Sequence, residues 1–209
     1  MLMRLRINKI LLISGAFYIV LSFFVGLITK RSMHYMFAWN MVLSLIPFVL
    51  MIYIKDKHQK LSKIENILLL LVFILFFPNT IYFVTDFIHL SSSWFYDGNV
   101  ANYIVSYENW LSFFHILVGA LLGLVMGLLS LSYFEDVFID LSWKYKNLGM
   151  NIVFLLAALA VYIGRFLRLN SWDIVNPLKV IVTFINSFSL FSIFFIFLFY
   201  FFIMFSYNL

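Results

Sequence analysis

Phe76-Phe77-Pro78-Asn79-Thr80-Ile81-Tyr82-Phe83-Val84-Thr85-Asp86-Phe87-Ile88-His89-Leu90 closes an apolar run with a carboxylate and an imidazole three residues apart. At 100° per residue, Asn79, Tyr82, Asp86 and His89 fall within an arc of roughly 80° on a helix, whereas Ile81, Val84 and Ile88 point the other way. The stretch predicts a helix with a polar seam on one side and a lipid-compatible surface on the other. Pro78 removes a backbone hydrogen bond and kinks that helix. Asn79 either satisfies the carbonyls freed by the kink or stands where the break opens the backbone to a ligand.

The rest of the chain has the composition of a membrane protein. Of its 209 residues 65% are hydrophobic and only 11% charged, with a mean hydropathy of +1.04. Soluble domains run at about 45–50% apolar and about 25% charged. The 27 phenylalanines suit lipid-facing surfaces and bulky packing between helices. Net charge is +5, but the basic residues stand in short clusters between apolar runs. They read as topology signals and headgroup contacts, so the lipid bilayer is a partner and nucleic acid is not. Without cysteine there is no disulfide, thiolate nucleophile or zinc–sulfur site.

Taken in order, Arg4, Arg6 and Lys9 precede a run too long for a typical signal peptide, which reads as a retained first span over 10–29. Spans follow over 35–54, with Pro47 inside, and 65–87. Residues 91–109 lack Lys and Arg and carry Trp94, Phe95, Tyr96, Tyr103 and Tyr107, with Trp110 at the edge, as an interfacial aromatic segment does. A fourth span covers 111–132. The polar segment that follows holds Glu135, Asp136, Asp140, Lys144 and Lys146, and spans five and six cover 151–169 and 178–205. The expected fold is all-α: a single integral membrane domain over 1–209, a six-transmembrane-helix bundle with short loops and an aromatic interfacial segment between helices 3 and 4. No internal repeat suggests a transporter of duplicated halves.

With the N-terminus inside, nine Lys and Arg fall in inner segments and five in outer ones, which predicts a cell-membrane protein with both termini cytoplasmic. Asp86 and His89 then lie near the outer boundary. His115 lies about 6 Å below it, Arg165 roughly 7 Å below, and Asn79 on the order of 12 Å down. Arg165 at that depth wants a partner, and Asp86 is nearest in depth. A structural pair locking two helices is the bland reading. Gly119, Gly123 and Gly127, spaced by four, form a packing stripe that turns His115 into the bundle. Asn170 and Asp173 can cap or turn the chain, and Trp172 can anchor at the interface.

Pro78-Asn79-x-x-Tyr82-x-x-Thr85-Asp86-x-x-His89-Leu90, followed by Arg168-x-Asn170-Ser171-Trp172-Asp173, resembles an uncharacterised family of bacterial integral membrane proteins catalogued as domain of unknown function 1361. The resemblance covers most of the chain. It implies an architecture and a site location but no activity.

Two functional readings stay open, with a small transporter as a third. In the first, the polar layer of Asn79, Tyr82, Thr85, His115, Arg165, Arg168, Asn170, Trp172 and Asp173, together with Asp86 and His89, recognises a lipid headgroup, a lipid-linked envelope molecule or a partner membrane protein. In the second, His89 is general acid or base and Asp86 orients it, in a hydrolase or transferase acting on a lipid or lipid-linked substrate, with Arg165 and Arg168 holding a phosphate or carboxylate. That reading needs His89 and Asp86 within about 3 Å of each other or of one metal. A metal version would recruit Asp86, His89, His115 and Asp173. No HExxH, GxSxG or P-loop pattern names a chemistry, and neither cofactor nor metal is specified.

Overall fold

The computed structural model describes residues 2–138 and 142–209, so Asp140 lies outside the described residues. Helices α1 (Leu2–Thr29), α2 (Met33–Lys57), α3 (Lys63–Phe76) and α4 (Pro78–Tyr82) come first, and a 3-10 helix, Phe83–His89, continues α4. A short 3-10 turn (Ser92–Trp94) and a two-stranded hairpin, β1 (Tyr96–Asp97) and β2 (Asn99–Tyr103), lead into α5 (Tyr107–Val137). Then come α6 (Trp143–Phe166), a 3-10 turn (Ser171–Val175), α7 (Pro177–Ser187) and α8 (Leu190–Asn208).

Six stretches are long and apolar enough to cross a membrane: Met3–Thr29, Met33–Lys57, Lys63–His89, Tyr107–Val137, Trp143–Phe166 and Leu190–Asn208. Their outward side chains are aromatic and aliphatic, such as Phe17, Phe24 and Leu27 on α1 and Phe194 and Phe197 on α8. Water would not tolerate that surface, whereas hydrocarbon does. The chain is a multi-pass membrane protein of the all-α class, and among the described residues its strands are confined to one small hairpin.

Three expectations are corrected in detail. The run over 178–205 is not one helix. α7, at 11 residues, is too short to span a bilayer, and α8 begins afresh after Phe188 and Ser189. Ser189 and Ser192 form a reciprocal capping box there, so two hydroxyls that hydropathy ignores start a new helix. The end of the third span is 3-10, not α, so its side chains advance by about 120° per residue and Phe83, Asp86 and His89 stack on one face. Ile81, assigned to the lipid side, is wholly buried, whereas Ile88 does face outward.

The chain divides into two compact units, Met1–Leu45 with Asn79–Met126, and Ile46–Pro78 with Gly127–Leu209. In the first, Tyr18, Phe37, Met41, Phe83 and Ile116 are fully buried. Two glycines of the expected packing stripe let this unit close. A Cβ on Gly119 would run into the Tyr18 hydroxyl, and one on Gly123 would lie 2.5 Å from the Thr80 carbonyl. At the turn after α1, Lys30 takes a left-handed φ of 55°. Arg31 follows and donates to Ser112 Oγ (2.7 Å), the Glu108 carbonyl (3.2 Å) and Asn109 Oδ1, while its guanidinium lies 3.7 Å over the Trp94 ring. Burial lowers the Arg31 pKa from its ordinary value, and Glu108 opposes that. Trp94 is thus engaged by the protein, while Tyr103 and Tyr107 remain exposed as an interfacial segment requires.

In the second unit α6 and α8 run antiparallel, because Phe154 meets Tyr207 (5.8 Å) while Phe166 meets Phe191 (5.1 Å). Ala157 and Ala158 are buried on α6. Among the basic residues counted for orientation, Lys55 pairs with Asp136 (2.6 Å) and Lys146 with Glu135 (2.8 Å) in this unit. α3 opens on a capping box between Ser62 and Glu65.

Candidate functional site

The 3-10 geometry at the end of the third span decides how Asp86 and His89 are presented. Three residues apart, they share a face, and they differ sharply in access. The Asp86 side chain is fully buried, while that of His89 is 34% exposed. Asp86 Oδ2 accepts from the Asn40 amide at 3.0 Å, and Oδ1 lies 3.9 Å from His89 Nε2. That last separation suits an ion pair and is too long for a hydrogen bond. The Phe37 ring stands 6.0 Å from the His89 ring.

On the other side of Phe37 is a second polar group. His115, expected as a ligand contact, is buried against His34, with Nδ1 facing Nδ1 at 3.0 Å. The outer nitrogens of the pair meet two serines: His115 Nε2 lies 2.9 Å from Ser22 Oγ, and His34 Nε2 lies 3.1 Å from Ser112 Oγ. Tyr18 stacks on His115 at 4.5 Å and donates to its backbone carbonyl at 3.1 Å. Phe37 is 5.8 Å from His34 and 6.0 Å from His115, so three histidines surround one phenyl ring.

Hydroxyl groups meet backbone carbonyls on either side of Pro78. Ser44 Oγ lies 2.9 Å from the Asn79 carbonyl and 2.8 Å from the Asn40 carbonyl, and shares its hydrogen between them. In the second unit Ser171 donates to the Leu75 carbonyl at 3.3 Å. Thr85 turns its hydroxyl onto the Tyr82 carbonyl (2.6 Å), so that hydroxyl serves the backbone where the helix tightens.

The remaining expected site residues belong to the second unit. Arg165 is in the last turn of α6. Arg168 is exposed and takes φ 56°, a left-handed conformation uncommon for arginine, just past the helix end. Asn170 and Asp173 cap the following 3-10 turn reciprocally, and Asp173 also pairs with Lys179 at 3.3 Å. The Asn170 backbone N–H, donating to Asp173 at 2.7 Å, holds that carboxyl below its usual range, and Lys179 adds to the effect. Trp172 points outward, as an anchor would.

So the first unit brings Asp86 to His89 and His115 to His34, and the second joins Asn170, Asp173 and Lys179. Among the described residues no three His, Asp or Glu side chains are grouped to hold a metal ion. His34, Asn40, Ser22, Ser112, Tyr18 and Arg31 are the residues that sequence reasoning missed. Their signal is faint but physical. Tyr18 and Ser22 recur at helical spacing inside an apolar run, Ser112 precedes His115 by three, and each is a polar group in a segment where polarity is costly.

Comparison with known proteins adds a family and no activity. No curated protein and no solved structure matches the chain. Residues 39–206 match the family described as Protein of unknown function (DUF1361). That span takes in Asn40, Asp86, His89 and His115 and leaves Tyr18, Ser22 and His34 to its N-terminal side. With four fifths of its length inside the match, the chain belongs to the DUF1361 family.

Proposed function

We propose that this multi-pass protein recognises the polar headgroup of a lipid or of a lipid-linked envelope molecule, and that His89 is the side chain that meets it. The asymmetry of the Asp86–His89 pair carries the reading. The carboxylate is shut in and held by Asn40, while the imidazole reaches the surface. Such a pair fixes a charge behind a contacting ring. At 3.9 Å the carboxylate does not hold the His89 ring by a hydrogen bond, as it would to orient a general base. Recognition is therefore preferred to the alternative of a membrane hydrolase or transferase built on the same two residues.

The Lys and Arg bias supports an orientation with both termini cytoplasmic and His89 at the outer leaflet. On the second unit, Arg168 and Trp172 supply a guanidinium and an indole suited to a phosphate or carboxylate near the headgroup level.

Native mass spectrometry of the protein extracted with its lipids tests this. Wild type and a His58→Ala control should retain one lipid or lipid-linked species that His89→Ala retains at least tenfold less. Equal retention by all three removes His89 from the site. Should His89→Ala keep the species while cells carrying it accumulate that species, the enzyme reading replaces this one.

A further inference from the structure

The hydrogens of the His34–His115 pair can be counted. Ser112 Oγ has one hydrogen and two lone pairs. It lies 2.8 Å from the Glu108 carbonyl, 2.7 Å from Arg31 Nη1 and 3.1 Å from His34 Nε2. A carbonyl can only accept and a guanidinium can only donate. Ser112 is filled when it donates to Glu108 and accepts from Arg31 and from a hydrogen on His34 Nε2; were it to donate to Nε2 instead, one of its lone pairs would stay empty. His34 Nδ1 is then a lone pair. Tyr18 Oη also lies 3.4 Å from His115 Nδ1 but donates its hydrogen to the His115 carbonyl at 3.1 Å, and two lone pairs facing at 3.0 Å would repel, so the hydrogen between the rings belongs to His115 Nδ1.

That leaves His115 Nε2 and Ser22. The Ser22 hydroxyl lies 2.7 Å from the Tyr18 carbonyl and 2.9 Å from His115 Nε2. With both rings neutral, Ser22 turns its hydrogen to Nε2. With one proton added, Nε2 donates to Ser22 instead, and the hydroxyl turns back to the Tyr18 carbonyl. Both states satisfy all four ring nitrogens. They differ by one proton and one hydroxyl rotation. A second added proton would set N–H against N–H between the rings, so the capacity is one.

We infer that His34 and His115 form a single proton-binding site, joined by an Nδ1–H···Nδ1 bond, that takes up one proton at His115 Nε2 with rotation of the Ser22 hydroxyl. The proton adds to the Nε2 lone pair and no other bond breaks. Tyr18 faces the site from α1, Arg31 from the α1–α2 turn, and Asp86 and His89 from the 3-10 helix across Phe37. From α5, Glu108 offers its carbonyl and turns its carboxylate to Ser106 at 2.7 Å. The site is separate from the headgroup reading, because it stands on buried atoms that no headgroup need touch.

Nitrogen NMR of the full chain labelled with 15N-histidine, in lipid nanodiscs, tests it. His58→Gln and His89→Gln assign the other two rings by subtraction. The expected result is a nitrogen–nitrogen coupling through the hydrogen bond between one Nδ1 of each remaining ring. On acidification both rings should shift with one shared midpoint, and the pair should gain one proton in total. Absence of the coupling overturns the inference, as do two separate midpoints or uptake of two protons.

Discussion

Gly123→Ala probes the close approach on which the site's geometry depends. The added Cβ would lie 2.5 Å from the Thr80 carbonyl oxygen and 3.1 Å from Phe83 Cδ2. Ordinary contact starts at 3.4 Å, so the backbone at Thr80 has to move by about 0.9 Å. The obstacle is a carbonyl inside a helix, not the end of a flexible side chain, and overpacking of this kind costs about 1–3 kcal/mol. Alanine recovers about 0.5–1 kcal/mol of helix preference over glycine. The net expectation is a loss of roughly 1–2 kcal/mol. Gly149→Ala is the matched control, because nothing stands within 4 Å of its Cβ and only the preference term remains. Reversible unfolding in mixed micelles should place Gly123→Ala below wild type and Gly149→Ala slightly above it. Since Thr80 lies one turn before Phe83, the same displacement carries Asp86 and His89 with it, and Gly123→Ala should also retain less headgroup species. Equal stability of the two variants would refute the close-approach argument.

Asn40→Leu strips the buried Asp86 carboxylate of its amide donor. A loss of about 1–3 kcal/mol is expected, with Asn40→Leu/Asp86→Leu recovering part of it; a single variant as stable as wild type would show that Asn40 does not hold the carboxylate. Asp173 makes a pH prediction outside the membrane-spanning segments. Its folded-state pKa is lowered by the Asn170 N–H, so its contribution is present above the ordinary carboxylate value and is lost as pH falls through the lowered one. The stability gap between wild type and Asp173→Ala should therefore be open at neutral pH and close in acid, and a gap indifferent to pH would rule out the capping carboxylate.

Much of the architecture was legible because lipid imposes one rule on sequence, that about 20 apolar residues cross it. What hydropathy conceals is how backbone groups are satisfied along such a run. Phe188 and Ser189 interrupt 178–205 without lowering its apolar average, since two serine hydroxyls suffice to cap a new helix. The tightening of 83–89 into a 3-10 helix was equally hidden. Yet the pairing of Asp86 with His89 survived that misreading, because residues three apart share a face in both helix types. Ile81 alone turned inward from the face assigned to lipid.

The same physics explains why the candidate site was half visible. Asp86 and His89 stand close in sequence, so periodicity joins them. Their supports lie far away: Asn40 is 46 residues from Asp86, and His34 is 81 residues from His115. A buried polar side chain announces from sequence that it needs a partner and says nothing of which helix supplies it. Among their partners are serine, asparagine and a second histidine, residues that in isolation read as turn formers or incidental polarity. Within an apolar segment each is better read as half of a pair. That reading would have placed Tyr18, Ser22, Asn40 and Ser112 on the candidate list before any coordinates were known, because hydrocarbon leaves an unanswered hydroxyl, amide or imidazole nowhere else to turn.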